Sequence, residues 1–270
     1  MSLLGKAVGI VGAAMILANC GAPGDLAIGM TWEKEASPIR TPFQGNLASQ
    51  PSARAFLDEQ GLRSNPECLA SIPSNLEGVI QRIVDRFNIS FQSGHGAGQV
   101  QLLHGDARAL EGNVALMACG GGDATAFSHG RTAAISMGLI SILKESAESD
   151  KLTDLAIGES PLSDTASPDT MSRVDPARVF ESALAFIIYH ELGHIYLGHT
   201  MTGDGYTSNV ADCCAMETQA DLFAASAIKK AGYLMDGANL VFNLLERTNP
   251  DGSLAHPGPG LRFSRIHTAS

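Results

Sequence analysis

An α+β domain, mainly helical and carrying one small sheet, is the fold class that the sequence predicts. Two patterns predict it. Apolar residues recur at helical spacing over long stretches (76–87, 176–197, 216–231 and 237–246). Shorter apolar or β-branched runs at 89–91, 100–103, 114–118 and 132–136 are set apart by turn-forming residues, Gly94, Gly96 and Gly98 among them. The 270 residues suffice for one large domain or two small ones, and no repeat period stands out.

The first segment reads as a targeting signal. Residues 1–6 carry one lysine, and residues 7–18 form an apolar run rich in Gly and Ala. That run is too short to span a bilayer comfortably and matches the apolar stretch of a secretory signal. The stretch Ile16-Leu17-Ala18-Asn19-Cys20-Gly21 resembles a bacterial lipobox, departing from it at Asn19, where a smaller residue is usual. On this reading residues 1–20 are a lipoprotein-type signal peptide and Cys20 carries the lipid. Residues 21–65, rich in Pro, Gly, Ser, Ala and Gln, are a tether, and residues 66–270 are the functional domain. The expected location is the periplasmic side of a bacterial envelope, with ordinary secretion or a cytoplasmic protein as alternatives.

Along the domain, Leu76, Val79, Ile80, Ile83, Val84 and Phe87 mark a helix. Residues 89–91 and 100–103 read as strands, residues 114–118 as a further short apolar run, and residues 132–136 as another strand. A helix starts at Met137, and residues 144–176 read as a polar loop. Asp175 and Pro176 form a helix start, with the carboxylate as N-cap and proline in the first turn. The helix runs to about Leu197, where Gly198 stops it. Further helices are expected at 216–231 and 237–246.

Charge and cysteines bound the chemistry. A net charge of −10 argues against a nucleic-acid partner. No glycine cluster precedes a Lys-Ser/Thr pair, which argues against a phosphate-binding loop. With Cys20 lipidated, Cys68, Cys119, Cys213 and Cys214 remain, enough for two disulfides in an oxidising space, or for buried thiols. No CxxC spacing suggests a cysteine-bound metal.

The informative motif is His190-Glu191-Leu192-Gly193-His194, an HExxH pentad inside an apolar helix. Histidines four apart share a helical face and can grip one metal ion. Glu191 beside them can take a proton from a water. Catalytic zinc requires a third protein ligand. His199 is a poor candidate, because five residues rotate it roughly 140° from His194 on an ideal helix, so a surface or helix-end histidine is expected there. Glu217 on the following helix is the better one. Asp221, four residues on, shares its face and can orient a ligand imidazole.

With these residues in place, the chain resembles the HtpX/Oma-type gluzincin metallopeptidases, with lesser resemblance to the ImmA/IrrE-type and Lit-type peptidases. Ala126-Phe127-Ser128 through Gly138-Leu139-Ile140 is similar to a strand-and-helix block of the first family, with Thr125 in place of its usual Asn. Residues 186–199 resemble its active-site helix and residues 217–225 its ExxAD helix. His256-Pro257 through Arg262 is similar to its His-Pro…Arg segment. The interval from His194 to Glu217 is short for that family. The resemblance implies a zincin-like domain whose small sheet edges the active-site cleft. It implies one Zn2+ per chain on His190, His194 and Glu217, with Glu191 as general base. It also implies His256 near the metal, stabilising the oxyanion or blocking the open site; the plain alternative for His256 is a turn residue. Arg262 or Arg265 is expected to bind a carboxylate or brace Asp221. The implied function is a zinc endopeptidase acting on protein or peptide substrates in envelope protein quality control. The alternatives are a regulatory protease with a single partner, and a zinc-bearing scaffold or chaperone with little turnover.

Overall fold

A computed structural model of the chain describes residues 72–91, 98–103, 113–119, 126–129, 131–149, 175–199, 210–248 and 257–268. Its elements run α1 (Ser74–Phe91), β1 (Val100–Leu103), β2 (Val114–Cys119), β3 (Ala126–His129), β4 (Thr132–Ser136), α2 (Met137–Glu148), α3 (Pro176–Tyr196), α4 (Val210–Lys230), α5 (Met235–Thr248) and α6 (Pro259–Thr268). The fold is α+β and mainly helical, with one small sheet, as the apolar periodicity predicts. The expected signal peptide, Cys20 and the tether lie outside the described residues.

Helix α3 is the axis. Every residue from Ser182 to Tyr196 is buried. A helix that is apolar nearly all round must be covered on all sides, and α3 packs against α1, α2, α4, α5, β3 and β4. Its ends follow from local chemistry. The Asp175 side chain accepts a hydrogen bond from the Ala177 amide at 3.0 Å, ahead of Pro176 in the first turn. At the other end Gly198 takes φ +78°, a left-handed conformation that a side chain disfavours. The amide of Gly198 then donates to the Ile195 carbonyl and that of His199 to the His194 carbonyl, the bond pair that closes a helix behind a left-handed glycine.

The sheet has the order β1-β2-β4-β3. Strands β1, β2 and β4 are parallel, and β3 returns antiparallel to β4 as an edge strand. All five residues of β4 are buried. Ser136 ends it and caps α2, its Oγ accepting from the Leu139 amide. The other edge is clamped by Asn88 of α1, whose side-chain amide donates to the Val100 carbonyl and accepts from the Val100 amide.

The strand expected at residues 89–91 is instead the last turn of α1. Phe87 and Phe91, four apart, stack at 4.7 Å, which a helix permits and a strand does not. Ile89 falls on the solvent side of that turn and is 74% exposed. The expected helices at 216–231 and 237–246 are present, α4 starting earlier, at Val210. Helix α6 carries only a sparse apolar signal, because one of its three buried positions is Arg262.

Candidate metal centre

Three helices build the site. His190 and His194 lie one turn apart on α3, Glu217 and Asp221 one turn apart on α4, and Arg262 on α6. A glycine decides how closely α3 and α4 meet. A Cβ on Gly193 would stand 3.3 Å from the Ala220 Cα and 3.0 Å from the Phe223 ring, so the bare α-carbon admits the α4 backbone. Ala220 lies between Glu217 and Asp221 in sequence. The closest approach of the two helices therefore falls level with the polar cluster.

His190, His194 and Glu217 form a cluster able to hold a metal ion. The two imidazole Nε2 atoms are 3.2 Å apart. Glu217 Oε1 lies 3.2 Å from His194 Nε2, and its Oε2 lies 3.4 Å from His190 Nε2. Tetrahedral zinc with ligands at about 2.0–2.1 Å sets ligand-to-ligand separations of about 3.3–3.4 Å. The three donors thus sit close to the edge lengths of one face of such a tetrahedron. Their chemistry fits as well, being two imidazole nitrogens and a carboxylate oxygen.

Around these donors the charges are unbalanced. Glu191, Glu217 and Asp221 are buried carboxylates, and Arg262 is a buried guanidinium. With His190 neutral, as a metal ligand must be, three carboxylates against one guanidinium leave room for a divalent cation. Arg262 binds Asp221 with two parallel hydrogen bonds, Nε to Oδ2 at 2.7 Å and Nη2 to Oδ1 at 2.8 Å. Burial works against ionising Asp221, but Arg262 more than offsets it and holds the pKa below the usual carboxylate range. Burial likewise opposes the Arg262 charge, yet Asp221, then Glu217 and Glu191, keep the guanidinium protonated. Arg262 Nη2 also stands 3.5 Å from Glu217 Oε2.

The two histidines are supported differently. His190 Nδ1 stands 3.0 Å from Asp221 Oδ1, without the alignment of a full hydrogen bond. Burial alone would lower the His190 pKa, but Asp221 and Glu217 outweigh it and raise it to about 10 in the metal-free cluster. His194 Nδ1 instead faces His199 Nδ1 at 3.1 Å, and His199 Nε2 faces Gln219 Oε1 at 3.0 Å. Burial, followed by neighbouring His194, lowers the His199 pKa to about 4.

The structure therefore brings Glu191, the three cluster residues and Asp221 together at the junction of α3 and α4. His256 lies outside the described residues. Of the two arginines, Arg262 braces Asp221 and Arg265 donates to Thr218 Oγ1 at 2.7 Å. His199 does end the helix, but it turns back against His194 rather than outward. The ideal-helix rotation fails because α3 stops at Tyr196 and the left-handed Gly198 redirects the chain. Gln219 escaped sequence reasoning; its place between Glu217 and Asp221 was the only signal. Tyr189 and Tyr196 serve packing, their hydroxyls donating to the carbonyls of Ile83 and Gly98. Cys214 is a free thiol.

Residues 127–234 match the model of the family described as Peptidase U49. The matched stretch contains His190, Glu191, His194, Glu217 and Asp221, and stops short of Arg262. No curated protein and no solved structure matches the chain. Among the described residues, no helix is long and apolar enough to cross a membrane.

Proposed function

We propose that this protein is a zinc-dependent endopeptidase of gluzincin type, with His190, His194 and Glu217 as metal ligands. The observation that carries the reading is the spacing of those three buried donors, 3.2 to 3.4 Å apart on two helices. The match of residues 127–234 to a peptidase family supports it. A divalent ion held there supplies Lewis-acid polarisation of the scissile carbonyl and makes a water acidic near neutral pH. Glu191, buried one residue from His190, accepts the proton of the attacking water on its carboxylate and returns it to the leaving amine. Asp221 and Arg262 hold the α4 face in register beneath His190. His256 is assigned as the donor to the developing oxyanion.

Strand β3 is the sheet edge, pairs only with β4 among the described residues, and packs against α3. An extended peptide added to such an edge is bound through its backbone, which gives broad sequence tolerance. That tolerance suits protein quality control, and lipidation of Cys20 would hold the enzyme at the bacterial envelope. Radiolabelled palmitate should enter the wild-type protein and not the Cys20→Ala variant; equal labelling, or none in either, rules out this anchor.

The decisive experiment is Glu191→Gln. The variant should keep one zinc per chain while casein degradation falls about 10²- to 10⁴-fold. Wild-type hydrolysis should also stop on chelation and return with added zinc. Undiminished turnover by Glu191→Gln removes the mechanism.

A further inference from the structure

We propose that Gln219 and His199 form a hydrogen-bond relay that fixes the tautomer of His194 and turns its Nε2 lone pair toward the metal. This rests on the metal reading above and assigns two positioning residues to it.

The relay follows from donor and acceptor bookkeeping. Gln219 Oε1 is an acceptor, so His199 Nε2, 3.0 Å away, must carry the hydrogen and donate it. A neutral imidazole protonated at Nε2 has its lone pair at Nδ1. His199 Nδ1 is 3.1 Å from His194 Nδ1, so the hydrogen between the two rings belongs to His194. His194 is then protonated at Nδ1 and bare at Nε2. That bare nitrogen is the atom 3.2 Å from both His190 Nε2 and Glu217 Oε1. A metal ligand needs this tautomer, and the group on its far nitrogen is what selects it.

Backbone geometry makes the relay possible. Gly198 at φ +78° lets the His199 amide reach the His194 carbonyl at 2.8 Å. In this closure the residue after the glycine lies over the residue five positions back. Here that contact is imidazole on imidazole, with ring centres 5.1 Å apart. The relay also ties the helices together. Gln219 lies on α4 two residues from Glu217, so the helix that supplies the carboxylate ligand also orients the histidine facing it. His190 looks to Asp221 for its orientation, and His194 to a neutral chain instead.

The test uses the full chain, with zinc affinity read by competition against a chromogenic chelator and tautomers read from long-range 1H–15N spectra of the zinc-loaded protein. In the wild type, His199 should be protonated at Nε2 and bare at Nδ1. His199→Phe, which keeps a ring without an acceptor, should weaken zinc binding about 10- to 100-fold. Gln219→Leu, a change at a half-buried site, should also weaken it. His199→Asn, whose carbonyl oxygen can take the place of Nδ1, should restore most of the affinity. A wild-type His199 protonated at Nδ1 overturns the relay, as does unchanged zinc affinity in His199→Phe. Equal losses in His199→Phe and His199→Asn would mean packing alone, and overturn it too. A wild type that binds no zinc is a different failure, since it removes the metal centre itself.

Discussion

Helix α3 is crossed at close quarters twice, and the two crossings are built from opposite materials. Near its N-terminal half, α5 comes so near that a Cβ on Gly237 would fall on the backbone of Ser182 and Ala183. Around that point the partners carry no charge: Phe186 meets Phe242 edge-on at 5.6 Å, and Ser182 Oγ accepts from the Leu234 amide at 3.1 Å. Near the other end, α4 approaches through Gly193, and the cluster there is ionic. The first crossing packs backbone on backbone and holds the fold. The second buries carboxylates beside a guanidinium and two imidazoles. Close packing is common to both, so glycine alone does not mark a functional site; the polar groups beside it do.

The comparison can be broken hardest at the charged crossing. Arg262→Met leaves Asp221 buried without its cation and should lower stability by about 3–5 kcal/mol in urea unfolding. Replacing Asp221 by Asn in the same chain should recover part of that loss; no recovery would show that Arg262 acts through packing alone. Next comes the uncharged crossing. Gly237→Ala drives a methyl group into backbone and should cost about 1–3 kcal/mol. Its zinc affinity should stay near wild type, because the contact falls on Ser182 and Ala183, about two helical turns before His190. The smallest effect on stability sharpens the contrast. Gly193→Ala meets a side chain that can yield by tenths of an ångström, so about 1 kcal/mol is expected. Yet it displaces α4 at Ala220, and zinc affinity should fall roughly tenfold, about 1.4 kcal/mol. If the two glycine variants lost zinc equally, the division of labour between the crossings would be wrong.

What the sequence disclosed follows the same division. Residues that act through local spacing were legible. His190 and His194 at four apart, Asp175 before Pro176, and Gly198 after the last apolar turn all gave their positions without coordinates. Glu217 and Asp221 were legible once the pentad was known, since an ExxxD pair on a following helix has a partner to face. Residues that act across helices were harder. Arg262 and Arg265 both sit on α6, three apart, and only the packing of α6 on α4 decides which meets Asp221. His199 stands at the helix end, outside the ligand cluster, as expected; its contact with His194 was not legible because it depends on the left-handed Gly198. The strand expected at 89–91 failed for another reason. β-branched Ile89 favours a strand locally, but the stacking of half-buried Phe91 on buried Phe87 outweighs it.

The bond between Asp221 and Arg262 spans 41 residues, and a ribosome lays those residues down in one direction. Until position 262 has emerged, the carboxylate on α4 lacks its guanidinium partner, and sinking it into the interior would cost several kcal/mol. A half-made chain therefore holds its α3–α4 cluster unfinished while it is still attached to the machinery that makes it. Any shortened product ending before α6 would inherit the same handicap.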